Sequence, residues 1–270
     1  MAGKVVWLSG ASSGLGMAAA QALVQSGWQV VSGARSFEGT DRTPGPLGIR
    51  LPLDVRDDAS VRAFCEAAHE LTGAPDALVN AAGILILGPA EETSLAEYQA
   101  VLDTVLLGSI RLTQAVLPLM RAAGQGKVVM LSSVNGLMPT PFQSAYVAAK
   151  HALEGYSECL MLETRGQRIQ VMLVEPGDHR GGAQRYRQSA QRLSPLYQDS
   201  FTRVRDTIAR DEAGGGDPER FGLVLARALR RGRLPARLRV TRWHETAAII
   251  LHDILPGRLF QRFLAAYYQV

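Results

Sequence analysis

Apolar residues fall along this chain in two alternating rhythms. Short runs with apolar side chains on successive positions predict strands covered on both faces. They are KVVWL (4–8), QVVSG (29–33), IRLPL (49–53), ALVN (77–80), KVVMLS (127–132), IQVMLV (169–174) and LRVT (238–241). Longer stretches with helical spacing lie between them, near 14–26, 57–72, 93–122, 143–165 and 217–231. The last has a clear start, with Asp217 as cap and Pro218 at the first helical position. This alternation predicts an α/β fold: one doubly wound domain of about seven parallel strands with helices on both faces, joined by right-handed crossovers. Such sheets bind ligands at the carboxyl ends of their strands, near the point where strand order reverses. Two polar stretches read as loops, 38–48 and 178–216. The second is placed to serve as a substrate loop or lid, or as a plain surface insertion.

Composition narrows the class. With 270 residues, 47% hydrophobic and 20% charged, the chain is an ordinary globular protein with enough length for a sizeable core. Cys65 and Cys159 both fall in helical stretches and make no disulfide framework, so a cytoplasmic location is expected. The first strand starts almost at Met1 and leaves no room for a signal peptide. No apolar run reaches membrane-spanning length; TAAIILHDIL is short and broken by His252 and Asp253. The net charge of +4, much of it arginine beyond Arg180, suits anionic cofactors, lipid headgroups or nucleic acid, or simply arginine solvated on amphipathic helices, which is favoured. Without zinc spacing, an RNA-binding signature or a basic recognition helix, no nucleic-acid partner and no metal site are expected.

Directly after the first strand comes SGASSGLG, with Gly10, Gly14 and Gly16. A strand-to-helix turn brings backbone N–H groups toward a pyrophosphate only where side chains are absent. Gly10 permits the turn, Gly14 lets a cofactor approach, and Gly16 lets helix and strand pack closely. The spacing Gly-x3-Gly-x-Gly differs from the commonest dinucleotide fingerprint. After the second strand, an acid would favour NAD and an arginine NADP. This chain has Arg35 and no acid before Glu38, which points to NADP(H), with NAD(H) remaining open should Glu38 fold back.

Tyr146 and Lys150 lie one turn apart on a mostly apolar helix, SAYVAAKHALEG (144–155). Taken alone, the pair fits a surface phenol beside a snorkelling lysine. That reading is favoured by the pair alone; the sharper one is a phenol whose pKa a nearby ammonium lowers into a useful range.

The motifs SGASSGLG, LDV (53–55), NAAG (80–83), LSS (131–133), YVAAK (146–150) and EPG (175–177) occur together and in order. In this the chain resembles the short-chain dehydrogenases/reductases, from the first strand to about residue 180. The stretch from RLTQAVLPLM to ECLMLE is similar to the 17β-hydroxysteroid-dehydrogenase-like branch. The resemblance implies a Rossmann-type domain over 1–270. Residues 1–177 would be its cofactor-binding and catalytic core, 178–216 its lid, and 217–270 its C-terminal helices and last strand. It further implies an oxidoreductase acting on a lipophilic alcohol/ketone pair, with Tyr146 as acid/base, Lys150 as its partner and Ser133 bonding the carbonyl. Cofactor contacts would come from Gly10, Ser12, Ser13, Gly14, Leu15 and Gly16 in the turn. Arg35, Asp54 and Val55 would join them, Asp54 at the adenine, with Asn80, Ala81, Ala82 and Gly83 along the adenosine. Tyr146, Lys150, Pro176, Gly177 and His179 would lie at the nicotinamide end. The apolar residues Leu137, Met138, Phe142 and Ile84 would line the substrate cleft.

Three positions depart from that family pattern. Val105 stands where many members have an asparagine on a water-linked proton path to the lysine, which puts that relay in question. Gly181 replaces a threonine that contacts the nicotinamide amide, a contact that a backbone N–H near His179 would have to replace. Ala81 replaces the second asparagine of NNAG. These losses keep a second class of function open, a catalytically impaired dinucleotide-binding sensor or scaffold. At the C-terminus, Leu259, Phe260, Phe263, Leu264, Tyr267 and Tyr268 share one helical face. It suits packing on the core, closing over substrate, a homo-oligomer (dimer or tetramer) or peripheral contact with a membrane.

Overall fold

The computed structural model describes residues 3–39, 42–181 and 186–270. Residues 40 and 41 of the expected loop, and 182–185 of the expected lid, lie outside the described residues. Seven strands form one parallel sheet: β1 (Val5–Ser9), β2 (Gln29–Ala34), β3 (Ile49–Pro52), β4 (Ala77–Asn80), β6 (Gly126–Leu131), β7 (Ile169–Pro176) and β9 (Arg237–Val240). Their order is β3-β2-β1-β4-β6-β7-β9, so the winding reverses between β1 and β4.

Each alternate side chain of a strand serves one of two cores. Val6, Leu8, Val30 and Val129 pack under α1 (Gly14–Gln25) and α7 (Pro218–Arg230). Trp7, Val31, Leu78 and Met130 pack under α2 (Asp58–Thr72), α4 (Gly108–Ala122) and α5 (Ser144–Glu163). This double cover explains why the strands read as continuous apolar runs.

The helix expected over 93–122 is continuous but contains a wide turn. A capping box between Ser94 and Glu97 starts α3 (Leu95–Leu102). A π turn then covers Asp103–Leu107, with the Gly108 N–H donating to the Asp103 carbonyl five residues back. Taken together, Leu95–Ala122 is 28 residues with a mean hydropathy of 1.4 in its best window, long and apolar enough to cross a membrane. That corrects the expectation that no such segment exists. Asp103 and Arg111 interrupt the run without lowering its average enough, and half of the window is buried inside the protein.

The second correction concerns 178–216. Its described residues are not all loop. It carries β8 (Arg187–Ser189), paired parallel to β5 (Leu85–Leu87), and the 19-residue helix α6 (Pro195–Ala213). Only Phe201, Val204, Thr207, Ile208 and Glu212 of α6 are buried, a stripe too narrow and polar to stand out in the sequence. Two further helices, α8 (Trp243–Ile254) and α9 (Gly257–Tyr268), complete the chain. α9 packs against α6.

Candidate active site

At the carboxyl edge of the sheet, across the reversal point, lies a cleft of about 390 Å³. The glycine turn forms its floor. Gly10 has a φ of +74°, and a Cβ there would stand 2.6 Å from the backbone of Ala81 and Ala82. A Cβ on Gly16 would stand 2.2 Å from the Gly10 carbonyl oxygen, so α1 seats directly on the turn. The Ser9 hydroxyl accepts from the N–H groups of Ala81 and Ala82 at 3.2 and 3.4 Å and ties the ends of β1 and β4 together. Ser12, Ser13, Leu15, Ala81, Ala82 and Gly83 also line the cleft. Gly14 and Asn80 do not. Gly14 opens α1 with a φ of +55°, and the buried Asn80 amide donates to the Thr113 hydroxyl at 3.0 Å.

Arg35, Asp54 and Val55 line one end. Arg35 is exposed and makes no hydrogen bond or ion pair among the described residues. Asp54 is held by Arg56 (Nη2 to Oδ2 2.6 Å), which keeps its carboxyl below the ordinary range. Arg56 is a second cation in this part of the cleft, which the sequence reading missed although it stands two residues after Asp54. Arg111 on α4 reaches the Val55 carbonyl at 3.3 Å.

Across the reversal point, Ser133 leaves β6, and the loop to α5 is strapped by its own side chains. Thr140 donates to Asn135 at 3.0 Å, and Asn135 donates to Gln143 at 2.7 Å. α5 then presents Tyr146 in its first turn and Lys150 in its second. The Lys150 ammonium lies 5.4 Å from the Tyr146 ring centre, and Ser133, whose hydroxyl accepts the Asn135 N–H at 3.2 Å, lines the same cleft. All three therefore converge on the cleft. Lys150 is buried and donates to the Leu131 carbonyl; burial pulls it down to about 8, with Glu154 working the other way. Burial and then Tyr186 push the Tyr146 phenol upward, while Ser133 opposes them.

Behind Lys150, Glu154 is buried and receives Arg237 at 2.6 Å; Arg237 also pairs with Glu175 and Glu158. Val105 lies fully buried in the π turn, with Val101, Ala145 and Ala149 in one apolar cluster. It offers no polar atom toward Lys150.

At the other end, Pro176, Gly177 and His179 line the cleft. A Cβ on Gly177 would stand 2.1 Å from a Glu245 carboxylate oxygen, and Glu245 accepts the Asp178 N–H at 2.9 Å. His179 is buried edge-on to Phe221, with Nδ1 2.9 Å from the Gly177 carbonyl oxygen; burial lowers its pKa. Gly181, at φ +67°, contributes no side chain. Of the expected substrate residues, Ile84 and Met138 line the cleft. Leu137 and Phe142 do not: Phe142 packs under α6, edge-on to Phe201 and Tyr197. Tyr186, Asp211, Glu212 and Tyr268 line it instead. They come from segments that the sequence left as loop or ambiguous tail.

The comparisons agree with this geometry. The family description short chain dehydrogenase matches residues 4–192. The chain is 34% identical to a 3-ketodihydrosphingosine reductase from Bacteroides thetaiotaomicron, across 99% of this chain and 98% of that one. A short-chain dehydrogenase structure from Streptomyces avermitilis superposes with a TM-score of 0.83 at 31% identity, covering 98% of this chain and 97% of that one. A Burkholderia phymatum short-chain dehydrogenase/reductase in complex with NAD superposes with a TM-score of 0.79 at 25% identity, covering 93% of each chain.

Proposed function

The chain belongs to the short-chain dehydrogenase family of oxidoreductases, and on that footing we propose that it is an NADP(H)-preferring enzyme interconverting a lipophilic secondary alcohol and its ketone. The observation that carries this reading is the convergence of Ser133, Tyr146 and Lys150 on one cleft with the glycine turn.

The residues present fit a dinucleotide. Gly10 leaves bare backbone in the cleft floor, and the first turn of α1 carries no acid to oppose an anion at its positive end. The turn residues would hold the pyrophosphate, with Asp54 and Val55 at the adenine and Ala81 to Gly83 along its ribose. Pro176, Gly177 and the backbone near His179 would border the nicotinamide. Arg35, without an ion pair among the described residues and with Arg56 nearby, supports NADP over NAD, because a planar guanidinium matches a 2′-phosphate. When bound, the cofactor supplies or accepts a hydride.

In the reducing direction Tyr146 would give its phenolic proton to the carbonyl oxygen of the substrate. Ser133 donates a hydrogen bond to the same oxygen as charge develops on it. Lys150, beside the phenol ring, holds a positive charge where the phenolate forms. The apolar lining from Ile84, Met138 and Ile208 suits a hydrocarbon-rich substrate. The relative named for 3-ketodihydrosphingosine supports a ketone of that kind.

A screen of NADPH and NADH oxidation against aliphatic, steroid and retinoid carbonyls, with binding measured in parallel, tests the reading. Dinucleotide binding without turnover of any carbonyl would favour a sensor instead. A cytoplasmic location is proposed with it, in keeping with two free cysteines. So is a homo-oligomer, or a peripheral membrane contact, through the exposed apolar residues of α8 and α9.

A further inference from the structure

We propose that Glu154, clamped by Arg237, is a positioning residue of the reaction: its carboxylate, one turn behind Lys150, keeps that side chain protonated beside Tyr146 and so sets the pH range of ketone reduction. This rests on the functional reading above and deepens it at the same site.

The need arises from where Lys150 stands. It is 4% exposed, and its ammonium donates to a neutral partner, the Leu131 carbonyl. Val105 brings no polar atom, since it belongs to an apolar cluster with Ala145 and Ala149. A buried ammonium in neutral surroundings gives up its proton readily, and a carboxylate on the same helix face opposes that. Glu154 is four residues on, is itself buried, and acts on Lys150 in that direction.

Glu154 has this effect only while it is ionised, and burial works against that as well. Arg237 counters the burial. Its Nη1 stands 2.6 Å from Glu154 Oε2, and the same guanidinium pairs with Glu175, fully buried on β7, and with the exposed Glu158. Arg239 takes the other Glu175 oxygen at 2.7 Å. Three carboxylates thus meet two guanidiniums, and the negative charge left over is the one that Lys150 balances. The pairs form one alternating chain from the edge strand β9, across β7, to α5. Glu154 also keeps an oxygen free of Arg237: Oε1 has no hydrogen-bond partner among the described residues. A Cβ on Gly136 would stand 3.2 Å from that oxygen and 2.6 Å from the Ser132 hydroxyl oxygen. The free oxygen therefore lies toward Ser132, the residue next to the carbonyl that Lys150 holds.

The other ionisable groups on elements packed against α5 are engaged elsewhere. In α3, Glu97 serves its capping box and Tyr98 bonds the Ser144 hydroxyl. Asp103 in the π turn pairs with Arg111 at 3.5 Å, and neither β5 nor the turn at 134–136 carries an ionisable side chain. On the cleft side stand the phenols of Tyr146 and Tyr186, both pushed upward by burial and neutral near pH 8.

The chain has three lysines, Lys4, Lys127 and Lys150. Lysine labelled with carbon-13 at Cε therefore gives three side-chain NMR signals, and Lys150→Arg identifies the one in question. In the native chain that signal should titrate at about pH 8. Glu154→Gln should lower the midpoint by about one pH unit, and Arg237→Met should lower it in the same direction. Glu154→Asp and Arg237→Lys, which keep the charges, should bring it back toward the native value. With NADPH and any ketone that the native chain reduces, the alkaline limb of kcat should follow the midpoint. Glu154→Gln then loses roughly fivefold at pH 8 and little at pH 6. If that variant fails to fold, Arg237→Met reads the same link from outside. A midpoint unmoved in Glu154→Gln and in Arg237→Met, or a loss of kcat equal at every pH, makes the cluster structural and overturns the proposal while leaving the reductase intact. Failure of every ketone removes the reductase, and the lysine titration then still decides whether Glu154 sets the charge on Lys150.

Discussion

At the scale of single residues, the pair that matters most was legible because a helix puts positions four apart on one face. Lys150 lies 5.4 Å from the Tyr146 ring centre, and Ser133, two residues beyond β6, lines the same cleft. On the proposed chemistry, Tyr146→Phe should lower kcat by about 10²- to 10⁴-fold. Dinucleotide affinity, measured by fluorescence titration, should stay within about twofold; loss of both would assign the phenol a structural role. The charge on Lys150 sets a pH limit. Its folded-state pKa of about 8 lies below its ordinary value, so the ammonium is present below pH 8 and lost as pH rises through it. Ketone reduction should therefore fall above about pH 8, and Lys150→Arg should move that limb upward; a flat profile to pH 9.5 would contradict this. Arg35→Ala should weaken NADPH by about tenfold or more and NADH little. Equal losses would leave Arg35 an ordinary surface residue. Glu212 was not legible. It lines the cleft because the last turn of α6, remote in sequence from β1 and α5, is folded against it.

At the scale of elements, apolar periodicity found the seven strands and five of the helices, since each buries a wide face. It did not find α6, whose buried stripe includes a threonine and a glutamate, nor β5 and β8, three residues each. The π turn was equally hidden, because widening one turn leaves the hydrophobic pattern nearly unchanged. Its consequence is local and testable. Gly108 closes that turn against Val55, and a Cβ there would stand 2.6 Å from a Val55 methyl and 3.0 Å from the Asp103 carbonyl oxygen. Gly108→Ala should cost about 1–3 kcal/mol in urea unfolding. It should also weaken dinucleotide binding, because Val55 lines the cleft. Unchanged stability would mean that α4 shifts freely at this point.

At the scale of the whole molecule, the parallel sheet and a site at the carboxyl ends of its strands followed from strand–helix alternation. The arrangement of charge did not, because a net +4 conceals a basic end and an acidic end within one cleft. The C-terminal helices were also only half legible. Phe260 is buried and Tyr268 lines the cleft, yet Trp243, Ile254, Leu259 and Phe263 are 82, 69, 51 and 45% exposed. If that face joins copies of the chain, Leu259→Glu with Phe263→Glu should shift sedimentation toward a single chain. Flotation with liposomes lost in the same variant, without a change in sedimentation, would assign the face to lipid. Where engagement of that face shifts α8, Glu245 would move with it, and its carboxylate occupies the space beside Gly177 and accepts the next N–H. Engagement of the tail and affinity for the nucleotide then become linked quantities, each altering the other by the same factor. Apparent cofactor affinity would accordingly drift with protein concentration or lipid content, and a constant measured under one condition would not transfer to another.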